Sequence, residues 1–452
     1  MSARILTTHV GSLHRPDDLV ELIDAKEHGG LTDLPGFEAR VKTAVREITR
    51  QQIAAGIDVV SDGEQGKPGY ATYVKDRLTG FGGEHRRPVR SIGDERDFPE
   101  YTRQRAGQGA TILHRPACNG PIAWRDFGSV ERDIENLRSA MAAEGATRGF
   151  MTAASPGVVP LFLGNDYFPD EDAFKVALAE ALKDEYEAIA AADLTLQIDC
   201  PDLAMGRHFV EMTTEEFRTL VRRNVELVNE ATRNIAAEKM RLHLCWGNSE
   251  GPHHLDIELK DILDIVLTAR PSGISFEAAN PRHEHEWAIW REFDIPADKV
   301  LIPGVIDTTT NFIEHPELVA QRIAHYVDIV GPERVLASTD CGFGTSAGHG
   351  KIDPEVAYLK LGSLRKVLGE GREVVSATFV TPYPPGFPVL MPGQVMTADI
   401  LNYLLELDVK EIHGYEPAFG LRIFKPAALA ALVEDSAEVR RAAASDREGV
   451  QA

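Results

Sequence analysis

A histidine and a cysteine lie two residues apart in the stretch RLHLCWGN at residues 241–248. The apolar residues around them predict a short strand that ends at the Gly-Asn pair. Because residues i and i+2 of a strand point to the same face, His243 and Cys245 would project together where the strand ends. The pair predicts either a metal site, since imidazole and thiolate both bind zinc, or simply two buried core side chains.

Two further potential ligands also follow predicted strands. Glu277 lies near the end of ISFEAANP, and Cys341 lies in STDCGFGT. The carboxyl ends of the strands share one face in a parallel barrel, so these side chains would converge with the first two. An imidazole, two thiolates and a carboxylate form a donor set that tetrahedral zinc accepts. The predicted ligands of this zinc ion, catalytic rather than structural, are His243, Cys245, Glu277 and Cys341.

Eight short β-branched or apolar runs, with helical patterns between them, supply the strands that must position these residues. The runs begin at Arg4, Gly56, Arg148, Leu194, Arg241, Gly273, Lys299 and Arg334. Apolar positions recur every three or four residues in segments such as 174–192 and 214–238, which predicts helices. Eight strand-helix repeats predict an α/β fold, a (β/α)8 TIM barrel. The alternative, an open doubly wound sheet, typically carries a Gly-x-Gly-x-x-Gly turn after its first strand, and none is present here.

Composition divides the chain into two predicted domains. Residues 1–370 would form the barrel, and residues 371–452 a small α/β module with clustered prolines, one helical run, two strand-like pieces and a polar helical tail. Residues 80–147 follow the second strand and are too long for a plain loop. They predict an insertion, a hairpin plus a helix over the barrel mouth.

Charge and cysteine content limit the class of partner. The 452 residues carry a formal net charge of −22, which disfavours nucleic acid and anionic membranes and favours a small-molecule substrate. Four cysteines are too few for a disulfide scaffold, and Cys118 has no evident partner. Neither a membrane span nor a signal peptide is recognisable, so we expect a cytoplasmic protein.

Seven stretches carry a family resemblance. TTHVGSLHRP, VVSDGEQGKPGYATY, LQIDCPDLA, HLCWGN, ISFEAANPR, GVIDTTTNFIE and STDCGFGT occur in this order. They resemble the C-terminal catalytic barrel of cobalamin-independent methionine synthases, within a wider group of zinc thiol alkyltransferases that includes the epoxyalkane:coenzyme M transferases. The resemblance implies methyl transfer to a small thiol such as homocysteine, activated as a zinc-bound thiolate. It also implies that Ser12, Glu64 and Asp199 hold the amino-acid part of homocysteine, although an acid at a strand end also often caps the next helix.

Departures from that family leave the donor and the catalytic acid unassigned. The synthases have two barrels with folate bound between them, whereas this chain has one. Their Asp-Glu-Pro is Asp199-Cys200-Pro201 here, and their Asp-Ile-His, which holds a proposed proton donor, is Asp307-Thr308-Thr309. Four histidines follow the fifth and sixth strands and could replace that acid at the rim of the mouth, although a solvated or capping role is the first expectation for each: His253, His254, His283 and His285.

The C-terminal module resembles a different family. TPYPPGFPVLMPGQ, EIHGYEP and GLRIF are similar to the C-terminal domain of ornithine/lysine/arginine decarboxylases. A Ser-x-His-Lys cofactor site is absent, so decarboxylation is not implied. The module is expected either to close over the barrel or to form the interface of a homo-oligomer.

Two other functions remain open. One is carbon-sulfur bond formation or cleavage of the coenzyme M transferase type, which needs a cationic pocket for a sulfonate. Arg15, Lys67 and Arg282 are the candidates for that pocket. The other is a non-catalytic metal-binding protein with a degenerate barrel.

Overall fold

The computed structural model describes residues 5–83, 92–105, 112–348, 350 and 352–369, together with short strand segments after residue 373. The chain divides into two compact units, Ala3–Val367 and a second unit that contains Leu368–Ala452 with Met1–Ser2. The domain assignment at residues 1–370 and 371–452 is retained as a prediction. Among the described residues, no helix has both the length and the apolar character that crossing a bilayer requires.

Eight parallel strands of the first unit form one sheet, and each comes from one of the eight predicted runs. The strands of this unit are β1 (Leu6–Thr7), β2 (Val59–Ser61), β3 (Phe81–Gly82), β4 (Ala117–Cys118), β5 (Arg148–Ala154), β6 (Thr195–Asp199), β7 (Met240–Leu244), β8 (Gly273–Phe276), β9 (Val300–Ile306) and β10 (Leu336–Thr339). Without β3 and β4, the sheet order is β1-β10-β9-β8-β7-β6-β5-β2. The amide of Asp58 donates to the carbonyl of Thr7 at 3.1 Å and links the two ends of that order. The predicted barrel is confirmed.

Helices follow most of the strands. They are α1 (Asp17–Glu27), α2 (Leu34–Ala54), α3 (Val74–Arg77), α4 (Ile92–Asp97), α5 (Pro99–Arg105), α6 (Gly128–Glu144), α7 (Val159–Phe162), α8 (Glu171–Ala191), α9 (Thr214–Ala231), α10 (Leu263–Val266), α11 (Pro316–Val330) and α12 (Pro354–Gly369). Short 3-10 helices span Pro201–Leu203, Met205–His208, Ala237–Lys239, Leu259–Asp261, Glu284–Glu292 and Pro332–Arg334. After β7 and β8 the covering helices are therefore short or irregular.

Helix α9 shows how the local sequence sets an element. Thr213 accepts a hydrogen bond from the amide of Glu216, and the Glu216 carboxylate accepts one from the amide of Thr213, which makes a capping box. Buried positions on the core side include Phe217, Val221 and Val228, at helical spacing. The helix ends at Ala231, earlier than the predicted residue 238, and the hydroxyl of Thr232 donates back to the carbonyl of Val228 at 2.7 Å.

The insertion after β2 lies at the carboxyl ends of the strands. Strands β3 and β4 form an antiparallel pair, and α6 takes the place of the second barrel helix and packs on α2. His254, in the loop after β7, lies 2.7 Å from the carboxylate of Asp97 in α4. The Tyr101 hydroxyl in α5 donates to the carbonyl of Glu250 in the same loop at 2.7 Å. The insertion thus contacts a loop at the end of the barrel where active sites form.

The second unit is described only as short antiparallel strand pairs. β11 (Val374–Val375) pairs with β13 (Val395–Met396), β12 (Thr381–Tyr383) with β14 (Glu411–His413), and β15 (Tyr415–Glu416) with β16 (Gly420–Leu421). The helical run and the polar helical tail expected from the sequence lie outside the described residues.

Candidate metal and substrate site

Three of the four predicted metal ligands lie together at the carboxyl ends of the strands. His243 belongs to β7, Cys245 follows it directly, and Cys341 follows β10. Potential ligand atoms of the three residues all lie within 4.8 Å of one another, and all three side chains are buried. The barrel therefore brings together residues that lie almost a hundred positions apart in the chain.

The geometry of this cluster suits a tetrahedral metal ion. The two sulfur atoms lie 3.8 Å apart. Thiolates that share a tetrahedral zinc ion would also lie about 3.8 Å apart, since each Zn–S bond is about 2.3 Å. Within the described chain, neither ring nitrogen of His243 has a well-formed hydrogen bond although both are buried. A buried polar atom without a partner is costly, and a bound cation would provide that partner.

Protonation in the cluster also fits a metal site. Burial lowers the pKa of His243 to about 3, the Arg241 guanidinium adds to this, and the backbone of Ser275 opposes it. The imidazole is therefore neutral near pH 7, the form that binds metals. The hydrogen bond with Cys341, followed by burial, raises the pKa of Cys245 well above its usual value. Without a cation the Cys245 thiol therefore holds its proton, and a bound cation would favour its thiolate.

Glu277, the fourth predicted ligand, lies next to this cluster but is not part of it. Its Oε1 accepts a hydrogen bond from the amide of Trp246 at 2.8 Å. Its Oε2 accepts from the side chains of Asn280 at 2.7 Å and Arg282 at 2.8 Å. Coordination of a metal ion by Glu277 stays a prediction.

A pocket of about 220 Å³ opens onto the cluster. Its lining includes His243, Cys245 and Cys341, and also the three predicted substrate residues, Ser12, Glu64 and Asp199. Six of the seven predicted site residues thus face one cavity of a size suited to an amino acid. Their roles in substrate binding stay predictions.

Two carboxyl groups share this pocket. Glu64 adopts a positive φ of 56° directly after Gly63, and its Oε1 accepts from the hydroxyl of Thr152 at 3.0 Å. Its Oε2 is buried and has no hydrogen-bond partner among the described residues. Asp199 ends β6 and accepts from the side-chain amide of Gln197 at 2.7 Å.

Burial controls the protonation of both acids. It raises the pKa of Glu64, against the opposing charges of Lys67 and Arg15. It also raises the pKa of Asp199 to about 8, with a further contribution from the charge of Glu64. A cationic group of a ligand placed between the two acids would stabilise their ionised forms.

Ser12 reaches the pocket through a close approach of two loops. Its carbonyl accepts from the amide of Phe343 at 2.9 Å. A Cβ atom at position 342 would collide with the Ser12 hydroxyl, so glycine there leaves room for that hydroxyl. The Gly-Ser turn after β1 and the Cys-Gly turn after β10 therefore fix each other.

The four histidines considered as replacement acids are absent from the lining residues of this pocket. His253 and His283 both contact Asp256, at 3.1 and 3.0 Å. Burial alone would lower the pKa of His283, but hydrogen bonds to Asp256 and Glu286 raise it to about 9. His254 contacts Asp97 in the insertion, and His285 is exposed. The catalytic acid remains unassigned.

The cations proposed for a sulfonate pocket are also absent from that lining. Arg15 donates to the carbonyls of Gly344 and Glu64, both at 2.8 Å. Lys67 donates to the carbonyl of Thr152 at 2.5 Å, and Arg282 donates to Glu277. All three cationic groups therefore have hydrogen-bond acceptors within the protein.

Three other residues that the sequence analysis discussed, Cys200, Cys118 and Asp307, are not among the lining residues of the pocket. Cys200 is fully buried and is not among the lining residues. Cys118 lies in β4, where its thiol donates to the carbonyl of Gly120. Asp307 accepts from Thr309 and Thr310 and so organises its own loop.

The aromatic and cationic side chains of the lining were not identified from the sequence. The rings of Tyr70 and Phe162 meet edge to face with their centroids 5.6 Å apart, and the Arg115 guanidinium lies over Phe162 at 5.6 Å. Arg115 comes from the insertion. The only available signal was the predicted position of that insertion over the mouth, which does not specify which arginine faces inward.

The fold and the site together define a (β/α)8 barrel protein with a candidate soft-metal centre and paired carboxyl groups in one pocket. Residues 5–353 match the model of the family described as cobalamin-independent synthase, catalytic domain. The chain belongs to this family. Residues 360–420 match the C-terminal domain of Orn/Lys/Arg decarboxylases, as the sequence motifs indicated.

Curated relatives share this barrel over most of their length. The chain is 25% identical over 364 residues to "Methionine synthase" of Thermococcus kodakarensis, which covers 80% of this chain and 91% of the relative. It is 24% identical over 356 residues to "Methionine synthase" of Pyrococcus furiosus, which covers 78% and 89%.

Solved structures agree on the fold. A B12-independent methionine synthase from Shewanella sp. W3-18-1, in complex with selenomethionine, has a TM-score of 0.63 at 21% identity and covers 81% of this chain and 97% of its own. A putative vitamin-B12 independent methionine synthase from Listeria monocytogenes has a TM-score of 0.55 at 19% identity, with 82% and 98% covered.

Proposed function

We propose that the protein transfers a methyl group to the sulfur of a small thiol, with homocysteine as the best candidate, in a zinc-dependent reaction. Family membership and relatives named as methionine synthases support methyl transfer to a thiol. The observation that carries the proposal is the shared pocket, in which a His-Cys-Cys cluster faces two buried carboxyl groups.

The donor set determines which metal is proposed. One neutral imidazole and two thiols form a soft set that favours zinc over magnesium or calcium. His243, Cys245 and Cys341 would hold the ion, with Glu277 beside them as the predicted fourth ligand. A bound zinc ion would supply Lewis acidity that lowers the pKa of a substrate thiol and so makes its sulfur nucleophilic.

The protein's own residues would orient the substrate. Glu64 and Asp199 offer negative charge to an α-ammonium group, and ionisation of the pair would strengthen that contact. Ser12 lies in the same pocket and offers a hydroxyl group to the substrate carboxylate. Buried walls around the cluster would exclude water, which strengthens these electrostatic contacts.

The test is zinc quantification on the purified protein, with X-ray absorption at the zinc edge before and after addition of homocysteine. We expect about one zinc per chain and one additional sulfur scatterer after addition. Ethanethiol, which lacks the amino-acid group, serves as the matched control and should bind more weakly. Unchanged zinc coordination with both thiols would refute the proposal.

A further inference from the structure

Asp340 is a buried acid directly after β10 and is not among the lining residues of the pocket. Its Oδ1 accepts hydrogen bonds from the amides of Ala278 and Ala279, both at 2.8 Å. Its Oδ2 accepts from the amide of Asn280 at 2.8 Å and from the side chain of Asn280 at 2.9 Å. All four donors belong to the turn that directly follows Glu277, so one carboxyl group holds that whole turn.

The side-chain amide of Asn280 connects Asp340 to Glu277. Its nitrogen donates to Oδ2 of Asp340 at 2.9 Å and to Oε2 of Glu277 at 2.7 Å. Because a carboxylate oxygen has two lone pairs, a hydrogen bond leaves Glu277 able to contact a cation as well. One amide group therefore links the acid that precedes Cys341 to the fourth predicted metal ligand.

An irregularity in the barrel sheet lies directly before Asp340. Ser338 pairs with Gly304, but Thr339 pairs with Ile306, so β9 has one additional residue at this point. An extra residue of this kind bends the pairing locally and redirects neighbouring side chains. A Cβ atom at position 304 would collide with Oδ1 of Asp340, so glycine there leaves room for the carboxyl group. The sheet thus provides a specific place for this acid.

We propose that Asp340 is a positioning residue that holds the turn after Glu277 in place, so that Glu277 and Cys341 can bind one metal ion together. The inference rests on the proposed function, because it requires a metal ion at the cluster. Asp340 contacts amides of the turn rather than the ligand carboxylate, so a bound ion would not compete for these hydrogen bonds. Its effect on metal binding should therefore pass through Glu277.

The test is a double-mutant cycle on the full-length protein, with zinc affinity measured by chelator competition. In Asp340→Asn the new amide group would direct its hydrogens at the donors of Asn280, so the turn loses part of its support. We expect zinc to bind about 10- to 100-fold more weakly, the usual range for residues that support metal ligands. In the Glu277→Gln background the same change should weaken zinc binding by no more than about twofold, because the carboxylate through which Asp340 acts is absent.

Asp202→Asn is the matched control. Asp202 is also a buried acid outside the pocket lining, and it accepts hydrogen bonds from Ser155 at 2.5 Å and Asn224 at 2.9 Å. Both variants replace an acceptor by a donor in the interior, so both should lower the free energy of unfolding of the zinc-free protein. Asp202→Asn should leave the zinc affinity unchanged. Denaturant unfolding verifies that each variant is folded and compares the two losses of stability.

A milder variant covers the case in which Asp340→Asn does not fold. Asn280→Ala removes the side-chain link between the two acids and keeps the backbone contacts to Asp340. It then takes the place of Asp340→Asn in the cycle, with the same dependence on Glu277 expected.

The outcomes are distinct. The inference is overturned if Asp340→Asn leaves the zinc affinity unchanged, or if it weakens zinc binding equally with and without the Glu277 carboxylate. An equal loss of zinc affinity in Asp202→Asn also overturns it, since the effect would then be a general consequence of lost stability. A wild-type protein that binds no zinc would refute the proposed function itself, which separates that failure from a failure of the inference alone.

Discussion

Glu64 and Asp199 place two carboxyl groups in one small pocket, where water screens them poorly. Burial raises the pKa of both, and that of Asp199 reaches about 8. Without a cationic ligand, the pair is most stable when it carries fewer than two negative charges. Two negative charges in this pocket repel each other, and a bound ammonium group would relieve that repulsion. The paired acids would therefore favour a cationic substrate and destabilise the protein when the pocket is empty.

Asp199→Asn tests this cost through the pH dependence of stability. The pKa of Asp199 is raised from 3.8 to about 8 in the folded protein, so the folded state binds the proton more tightly than the unfolded state. The contribution of protonated Asp199 to the free energy of unfolding is complete below about pH 4 and decreases as the pH rises towards 8. We expect the melting temperature of Asp199→Asn to exceed that of wild type by an amount that grows from pH 5 to pH 8. A difference independent of pH would contradict this assignment, and homocysteine binding should weaken in the variant.

Cys341→Ser tests the metal cluster. Because serine is a poor zinc ligand and the cluster has only three close members, we expect zinc affinity to fall at least about 100-fold, or about 2.7 kcal/mol. Chelator competition measures this change. Cys118→Ser is the matched control, since Cys118 is also buried but lies in β4 away from the cluster. Equal losses in the two variants would argue against a specific site.

At the scale of elements, the strand ends supply the cluster and the loops supply its surroundings. Strand β7 is buried along its whole length, and its register with β6 pairs His243 with Asp199. These two positions therefore hold a candidate metal ligand and a pocket carboxyl group on neighbouring strands. The helices that follow β7 and β8 are short or irregular. The loops at these positions carry Asp256 and the two histidines that it contacts, His253 and His283.

Thr213→Ala tests whether the outer helices affect stability without affecting the site. The capping box of α9 would be lost, which costs about 1 kcal/mol in comparable helices. We expect a lower free energy of unfolding with unchanged zinc and homocysteine affinities. Thr219→Ala is the control, because Thr219 lies within α9 and its exposed hydroxyl donates to the carbonyl of Glu215 in the same helix. A loss of zinc affinity in Thr213→Ala would contradict the separation of helix and site.

At the scale of the whole barrel, the cluster brings together residues from two strands that are not neighbours in the sheet. His243 and Cys245 come from the fifth of the eight strands, and Cys341 follows the eighth, which also pairs with the first strand. A metal ion bound to all three would connect β7 and β10 across the barrel mouth. Binding to the folded state alone would stabilise the entire barrel.

Removal of zinc tests this coupling. At a free zinc concentration about 1,000 times the dissociation constant, the folded state gains about 4 kcal/mol. We therefore expect a chelator to lower the melting temperature of the wild-type protein and added zinc to restore it. The same treatment of Cys341→Ser should have a much smaller effect. Equal melting temperatures with and without zinc would show that the ion is not bound to the folded barrel.

Much of the architecture was predictable because it depends on local periodicity. Alternating strand and helix patterns specify a parallel barrel, and a strand places residues two apart on one face. The sequence therefore predicted the eight strands and the positions of His243, Cys245 and Cys341 at strand ends. It also predicted that the insertion would lie at the mouth.

Only the tertiary structure decided which buried groups pair with each other. Glu277 accepts a hydrogen bond from Arg282, Arg115 enters the pocket from the insertion, and Asp256 contacts both His253 and His283. The periodicity of a strand or helix determines the direction of a side chain, but its partner depends on distances between loops distant in sequence. Those distances are fixed when the barrel closes, and a buried charge then pairs with the nearest group that satisfies it.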